Sequence, residues 1–283
     1  MSTRITIKDE NPPNKYIAYI DILGFKEKLI NVSQSDAEEF IRNFSSMLYR
    51  QWESHSYQID KHIRGLIVSD CIIIHTLSTS PKALDMLLQF LVDIYQKAFS
   101  ENGILLRGAV TKGQFNQLEA YSFENLQKGL IIGQAYIDAY TLESKYKGCA
   151  ILFKNNVLKD IFNNFKDRYE IINIDENNSI YSLGWAKIDY LMEENNLSKF
   201  VKMACEAKWI PHYYHTMYLF LKNQKDETKE KQVFFNVYNC IKNCTEEDIP
   251  RNQDIFIKNA FSNDVDNEFQ QMFLRFVREK IEN

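Results

Sequence analysis

Two aspartates lie beside short apolar segments of a kind typical of buried strands. Asp21 directly follows the run YIAYI of residues 16–20, and Asp70 lies at the bend between the apolar residues 66–68 and 71–74. A carboxylate at such a position needs a partner, because burying an unpaired charge costs several kcal/mol. Two carboxylates on adjacent strands repel each other unless a cation joins them, and Mg²⁺ or Mn²⁺ takes oxygen ligands of this kind. The simpler alternative is that Asp21 caps a helix and Asp70 belongs to a turn.

The residues after Asp21 predict a place where a phosphate group can approach the main chain. Gly24 tolerates a tight turn, and a helix is expected to begin at Phe25, with Lys26 in its first turn. Amide groups at the start of a helix can hold phosphate oxygens. The sequence around Asp21 therefore predicts a combined metal and phosphate site.

Strands and helices that alternate along residues 16–183 must position these groups. Strands are predicted at 16–20, 104–111 and 149–153, with hairpins at 62–77 and 169–183. Helices are predicted to begin at Phe25, at the capping box formed by Ser35 and Glu38, at Ser80-Pro81, and at Ala135. This order predicts an α+β fold, in which helices cover one face of a sheet.

The chain divides by composition into three parts. Residues 1–15 are polar, contain Pro12-Pro13 and predict a flexible N-terminus, whereas residues 16–183 form the predicted catalytic domain. Residues 184–283 contain almost no glycine and predict a helical C-terminal extension, with helices at 186–221, 231–245 and 264–281. Residues 222–231 alternate in charge and predict a solvated turn between two of these helices.

The overall composition excludes several classes of protein. The 283 residues are 45% hydrophobic and carry a net charge of −4, which argues against a broad nucleic-acid-binding surface. The five cysteines are odd in number and scattered, so we expect a reduced cytoplasmic protein. Apolar runs are too short to cross a membrane, and no secretory signal is expected at the start of the chain. The pairs His212/His215 and Cys240/Cys244 could each be half of a zinc site, but neither has a second pair of ligands at a suitable distance in the sequence, so zinc is not expected.

Four segments resemble, in order, the motifs of class III nucleotidyl cyclases. The run YIAYIDILGFK at 16–26 is similar to their first metal motif, and VSDCI at 68–72 is similar to the second. The segment LLRGAVTKG at 105–113 resembles the strand that follows, and GQAYIDAYTLE at 133–143 resembles their later helix. The resemblance implies a ferredoxin-like catalytic core, two Mg²⁺ or Mn²⁺ ions per site, and metal ligation by Asp21, Asp70 and the main chain of Ile22.

Within this superfamily the details resemble the pyrimidine cyclases of bacterial anti-phage defence, called Pycsar. Their second motif has Ser-Asp, as at Ser69-Asp70, and their later helix is similar to residues 135–144. The resemblance implies a homodimer that converts UTP, or alternatively CTP, to the 3′,5′-cyclic monophosphate and pyrophosphate. It further implies substrate binding by the segment around Asp21 and by the second motif, at Gly24, Phe25, Lys26 and Ser69.

The sequence departs from ordinary class III cyclases at three positions. Ile137 and Thr141 replace the Asn and Arg that stabilise the transition state, and Leu66 replaces the lysine that recognises a purine. Arg107 and Lys112 are the nearest basic candidates for the missing charge, with a strand-edge ion pair and a solvated loop as the simpler alternatives. A catalytically degenerate nucleotide-binding signalling protein therefore remains an alternative to an enzyme.

Arg64 is the candidate for base selection. It lies two residues before Leu66, so both side chains are expected on one face of a strand. A guanidinium donor can satisfy both carbonyls of uracil but meets an amine in cytosine, so we expect UTP to be preferred over CTP. The alternative is that Arg64 faces solvent or pairs with an acidic neighbour.

Overall fold

We analysed a computed structural model of the chain. It describes residues 13–245 apart from 31, 56–60, 69, 119–129, 147, 194, 197–198, 200–209 and 222–225, and it also describes residue 275. The predicted α+β class is confirmed: a seven-stranded sheet is covered by helices. The predicted helix at 264–281 lies outside the described residues, apart from the single position 275.

The large sheet is built mainly from antiparallel strands. In chain order its strands are β1 (Asn14–Ile22), β2 (Ile63–Val68), β3 (Cys71–Thr76), β4 (Leu106–Gln114), β7 (Ile151–Lys154), β8 (Ile171–Asp175) and β9 (Ile180–Leu183). Their spatial order is β2-β3-β1-β4-β7-β9-β8, and β4 with β7 forms the one parallel pair among them. Two short strands, β5 (Asn116–Leu118) and β6 (Leu130–Ile132), pair separately. The order β2-β3-β1-β4 is that of a ferredoxin-like core, as expected.

Helices separate the strands in the predicted order. In the core they are α1 (Phe25–Ile30), α2 (Gln34–Ser54), α3 (Pro81–Asn102), α4 (Gln134–Glu143) and α5 (Asn155–Phe165), the last followed by a 3₁₀ turn at Lys166–Arg168. The cap of α3 is Ser80, as predicted, and Gly103 ends this helix in a left-handed conformation with φ of 60°. The cap of α2 is Ser33 instead of Ser35, because the Ser33 hydroxyl accepts from the Asp36 amide at 3.2 Å.

Alternate residues of β1 divide the interior into two layers. Tyr16, Ala18, Ile20 and Ile22 belong to the main core, together with the apolar faces of α2 and α3. Ile17 and Tyr19 point to the opposite face and join Ala135 and Ala139 of α4 in a second buried cluster. The helical cover is therefore wider than the one face that the sequence predicted, since small side chains let α4 approach the other face.

The helices with assigned bounds after the sheet, within the described ranges, are α6 (Ile188–Met192), α7 (Ile210–Leu221) and α8 (Glu227–Thr245). Met217 and Phe220 of α7 and Phe234 of α8 are buried in the main core. The Thr216 hydroxyl accepts from the Cys149 amide at 2.8 Å, next to β7. These helices therefore contribute to the same hydrophobic core as the sheet. No helix within the described ranges combines the length and the apolar character that crossing a membrane requires.

Candidate active site

Asp21 is held between two neighbouring strands near the end of β1. Its cross-strand neighbours are Cys71 on β3 and Arg107 on β4, so its position along the sheet is fixed by two ladders. The strand continues one residue past Asp21, because Ile22 pairs with Leu106. The Asp21 side chain is 15% exposed, so the carboxylate is mostly buried but retains some access to solvent.

Asp70 lies beside Asp21, at the bend that joins β2 to β3. The Ile22 amide donates to the Asp70 carbonyl at 3.2 Å and fixes the bend against the end of β1. Burial raises the pKa of Asp21; the Arg107 guanidinium opposes this, and the neighbouring Asp70 carboxylate adds to it. The fold thus brings together the two carboxylates that the sequence singled out.

Arg107 connects Asp21 to a third carboxylate, Glu143, at the C-terminal end of α4. Its Nη2 and Nε both donate to Asp21 Oδ2, at 2.9 and 3.2 Å. Nε also lies 2.5 Å from Glu143 Oε1, an ion pair in which the N–H is directed at Asp21 and not at Glu143. Burial lowers the pKa of Arg107, but Glu143 and Asp21 outweigh this effect and raise it, so the guanidinium stays charged.

Sequence reasoning did not identify Glu143 as a site residue. Its side chain is 4% exposed, and Oε1 accepts no well-directed hydrogen bond in the described part of the chain. Burial raises its pKa to about 7; the charge of Arg107 lowers it, and that of Asp21 raises it further. The available signal was its place in the run TLE, at the end of the segment that resembles the cyclase helix.

The oxygen atoms near Asp21 fit a hard divalent cation. In the described ranges, no group of three or more His, Cys, Asp or Glu could hold a metal ion. Mg²⁺ does not need such a group, because it keeps several waters and binds one or two carboxylates together with substrate phosphates. Asp21, Asp70 and the main-chain carbonyl of Ile22 are therefore a sufficient candidate set, and their like charges favour a cation between them.

The segment after Asp21 forms the predicted tight turn. Gly24 has a φ of 65°, a left-handed conformation that favours glycine. Phe25 begins α1 and its ring lies 6.3 Å from that of Phe40, so its side chain serves packing. Lys26 is exposed. Ser69, the residue before Asp70, lies outside the described residues.

The two remaining basic candidates lie away from Asp21. Arg64 on β2 is exposed, and its Nη1 donates to the carbonyl of Ile63 at 3.0 Å. Arg64 pairs with His75 in the β2–β3 ladder, four positions along β2 from the Val68–Cys71 pair beside Asp21. Lys112 faces the opposite side of the sheet, where its Nζ lies 2.7 Å from Asp160 Oδ2. The structure therefore does not bring Lys112 to the carboxylate pair.

A cavity of about 570 Å³ lies on the side of α4 that faces β8 and β9. Ile137 and Thr141 line it, together with Lys112, Lys145 and Lys154. Lys145 and Lys154 are exposed, and no ion pair joins either to another residue in the described part of the chain. The cavity also contains Asp138 and Asp175, whose carboxylates accept from Gln134 and Asn178 respectively. Asp21, Asp70 and Arg107 are not among the residues that line this cavity.

The outer surface of α4 is apolar for an exposed helix. Ile137 is 54% exposed and Tyr140 is 56% exposed, and Ile132 just before the helix is exposed as well. The Tyr140 ring stands edge-on against Tyr19, with the centroids 5.3 Å apart, so it is partly fixed by the core. Exposed apolar side chains concentrated on one helix are typical of a contact surface.

Comparison with solved structures finds similarity to adenylyl and guanylate cyclases. A bacterial light-regulated adenylyl cyclase matches at 13% identity and a TM-score of 0.49, over 71% of this chain and 59% of that chain. The chain thus spans less than two thirds of that protein. The guanylate cyclase domain of RhGC from Catenaria anguillulae, solved with GTP, matches at 14% identity and a TM-score of 0.48, over 62% and 97% of the two chains. The adenylyl cyclase CyaB from P. aeruginosa matches at 15% and 0.45, over 60% and 93%. No protein-family model and no curated protein matches the chain.

Proposed function

We propose that this protein is a nucleotidyl cyclase that converts UTP to 3′,5′-cyclic UMP and pyrophosphate, as a second messenger in anti-phage defence. The observation that carries the proposal is the meeting of Asp21 and Asp70 at the adjoining ends of β1 and β3. Two neighbouring carboxylates beside a main-chain carbonyl form a site for one or two Mg²⁺ or Mn²⁺ ions. The ordered motifs along residues 16–143 support the same reaction.

The chain's own residues contribute mainly position and charge to this reaction. Ions bound at Asp21 and Asp70 would lower the pKa of the ribose 3′-hydroxyl and offset charge on the leaving pyrophosphate. The 3′ oxygen forms a bond to the α-phosphorus, the bond from that phosphorus to the β-phosphate oxygen breaks, and the hydroxyl proton leaves to water. Arg107 keeps the Asp21 carboxylate in place during this exchange through its two hydrogen bonds. Catalysis of this kind rests on orientation and electrostatics.

A second copy of the chain completes the proposed site. Tyr136 and Tyr140 of α4 contact Tyr19 on the face that carries Asp21, whereas Ile137 and Thr141 line the cavity with Lys145 and Lys154. We therefore assign the carboxylate pair and the lysines of one site to different copies of the chain. In a symmetric dimer, the cavity of one copy faces the carboxylate pair of the other. Lys145 and Lys154 then supply positive charge to the triphosphate. Ile137 and Thr141, which line the same cavity, have no charge to contribute. The exposed apolar residues of α4 are the proposed contact surface.

Selection of the base is assigned to Arg64 and Leu66. The ladder places Arg64 beside His75 and Leu66 beside Ile73, on the face of the sheet that carries Asp21. Leu66 occupies the position at which purine cyclases have the lysine that recognises the base, so no purine-binding donor is present there. We assign to Leu66 a smaller base pocket and to Arg64 the hydrogen bonds to the uracil carbonyls. A donor that meets an unmatched amine loses about 1–3 kcal/mol, so UTP is preferred over CTP, and both over ATP and GTP.

The decisive experiment incubates the full chain with each of the four nucleoside triphosphates and Mn²⁺. Mass spectrometry of the products should detect cyclic UMP, with less cyclic CMP and no cyclic purine nucleotide. Cyclic CMP as the major product would show that CTP, and not UTP, is the preferred substrate. A major cyclic AMP or cyclic GMP product would contradict the pyrimidine assignment while retaining the reaction.

A nucleotide-binding signalling protein without catalysis is the second candidate. The observation that favours it is the pair Ile137 and Thr141, whose side chains line the cavity without a charge or an amide. This candidate predicts that UTP binds with Mn²⁺ and is recovered unchanged. Binding of a nonhydrolysable UTP analogue together with absence of every cyclic product would support it over the enzyme.

A further inference from the structure

The buried carboxylate of Glu143 has no role in the proposed reaction as described so far. Its side chain is 4% exposed at the end of α4, and its Oε1 lies 2.5 Å from Arg107 Nε. We infer that Glu143 is a positioning residue: it anchors Arg107, and Arg107 in turn orients Asp21 for the divalent cation. This inference rests on the cation site that the proposed function assigns to Asp21 and Asp70.

The burial of Glu143 is itself an argument for such a role. A carboxylate removed from water is destabilising unless it is paired and hydrogen-bonded, and Oε1 has no well-directed donor in the described part of the chain. A residue that served only to end α4 would pack there as well with an apolar side chain. Within the described residues the Arg107 guanidinium is the ion-pair partner of Glu143, so the contribution of Glu143 is assigned to Arg107.

The two hydrogen bonds of Arg107 leave one oxygen of Asp21 available. Nη2 and Nε both donate to Oδ2, so Oδ1 is not engaged by the guanidinium. A carboxylate held in this way presents its second oxygen in a fixed direction, which is how outer-shell partners tune a metal ligand. Asp70 lies beside Asp21 because Cys71, the next residue, pairs with Asp21 and the Ile22 amide donates to the Asp70 carbonyl, so an unanchored guanidinium is drawn toward both aspartates. Glu143 opposes that shift and keeps the cation position open.

The test measures Mn²⁺ affinity of the full-length protein without nucleotide, by electron paramagnetic resonance of free Mn²⁺ at about pH 8. Glu143→Gln keeps the shape of the side chain and removes its charge. We expect a loss of affinity of about 10- to 100-fold, the usual effect of removing an outer-shell partner of a metal ligand. Glu143→Asp retains the charge and should restore part of the affinity.

A double-mutant cycle separates anchoring through Arg107 from a general effect of charge. In the Arg107→Gln background, Glu143→Gln should cause little further loss, because the connection to Asp21 is already broken. Asp160→Asn is the matched control, since Asp160 is a half-buried, ion-paired carboxylate on the opposite face of the sheet. Circular dichroism and urea unfolding verify that each variant is folded.

Three outcomes decide the inference. An equal loss of Mn²⁺ affinity from Glu143→Gln in both backgrounds, or an equal loss from Asp160→Asn, would overturn it. Unchanged affinity in folded Glu143→Gln would overturn it as well. The proposed reaction is tested separately: a wild-type protein that binds Mn²⁺ through Asp21 but forms no cyclic product contradicts the cyclase and leaves the role of Glu143 standing.

Discussion

Arg107 on β4 donates two hydrogen bonds to a single oxygen of Asp21 on β1, at 2.9 and 3.2 Å. The two residues are direct neighbours in the antiparallel ladder, so the contact depends on the register of the strands. Because Glu143 Oε1 contacts Nε of the same guanidinium, one cation is shared by two partly buried carboxylates.

Asp21 and Asp70 should each be necessary for turnover. Asp21→Ala and Asp70→Ala remove oxygen ligands of the cation, so cyclic product in the mass-spectrometric assay should fall below detection. Asp70→Asn should be nearly as damaging, because an amide does not offset the charge of the ion. Removing Asp70 relieves repulsion between like charges, so the urea unfolding of Asp70→Ala should change little. Asp21→Ala also removes the acceptor of both Arg107 hydrogen bonds, so this variant should be destabilised. A variant with wild-type activity would exclude that aspartate from the site.

Arg107→Gln should destabilise the protein. The substitution leaves Asp21 and Glu143 without their shared cation, and breaking a buried ion pair from one side costs on the order of 3 kcal/mol. Urea unfolding in the presence of a metal chelator should show this loss at about pH 8, and a smaller loss at about pH 5, where protonation neutralises Glu143. Arg50→Gln, which breaks an exposed ion pair with Glu101, is the control and should cost under about 1 kcal/mol. A similarly small cost for Arg107→Gln would contradict the shared-cation account.

Glu143 should make the stability of the metal-free protein depend on pH. Its pKa is raised from 4.5 to about 7, so the folded state binds the proton more tightly than the unfolded state. The contribution of this group is fully present below about pH 4.5 and is lost as the pH rises through about 7. The stability of the wild type relative to Glu143→Gln should therefore fall by on the order of 3 kcal/mol between about pH 4.5 and pH 8. A difference that stays constant with pH would contradict the raised pKa.

The active unit should be a dimer with composite sites. Sedimentation at micromolar concentration should show a species near twice 33.4 kDa. Asp21→Ala and the double variant Lys145→Gln/Lys154→Gln should each be inactive alone. Mixing them should restore activity, because one site of the mixed dimer then combines an intact carboxylate pair with intact lysines.

The matched control for the lysines is Lys82→Gln/Lys159→Gln, which removes the same charge from exposed positions outside the cavity. This variant should retain full activity without mixing. Mixed inactive variants that stay inactive, or a monomer that cyclises UTP, would contradict the composite site.

Arg64→Ala should change the choice of base more than the rate with CTP. If Arg64 donates to the uracil carbonyls, kcat/KM for UTP should fall by about 10- to 100-fold, since about 1–3 kcal/mol is lost. The value for CTP should change little, so the preference for UTP should disappear. Arg42→Ala, an exposed arginine of α2, is the control. An equal loss with UTP and CTP would assign base selection to another residue.

The sequence alone determined the elements and the two carboxylates. The apolar residues before Asp21, the hairpin around Asp70 and the Ser80 and Gly103 signals are local patterns, and local patterns fix local structure. They predicted β1, β2, β3 and α3 to within a few residues. The same local patterns placed Asp21 and Asp70 at strand edges, and the hypothesis that they bind a cation was made from those positions alone.

Only the tertiary structure decided which charges meet. Glu143 is 36 positions from Arg107 and 122 from Asp21, and no periodicity in the sequence links the end of a helix to a residue on a particular strand. The contact arises because α4 packs against β1 and β4, and because the ladder pairs Asp21 with Arg107. A shift of one residue in that register would turn Arg107 to the opposite face. The same geometry pairs Lys112 with Asp160 on the opposite face of the sheet. From its spacing in the sequence alone, Lys112 had been a candidate for the site around Asp21.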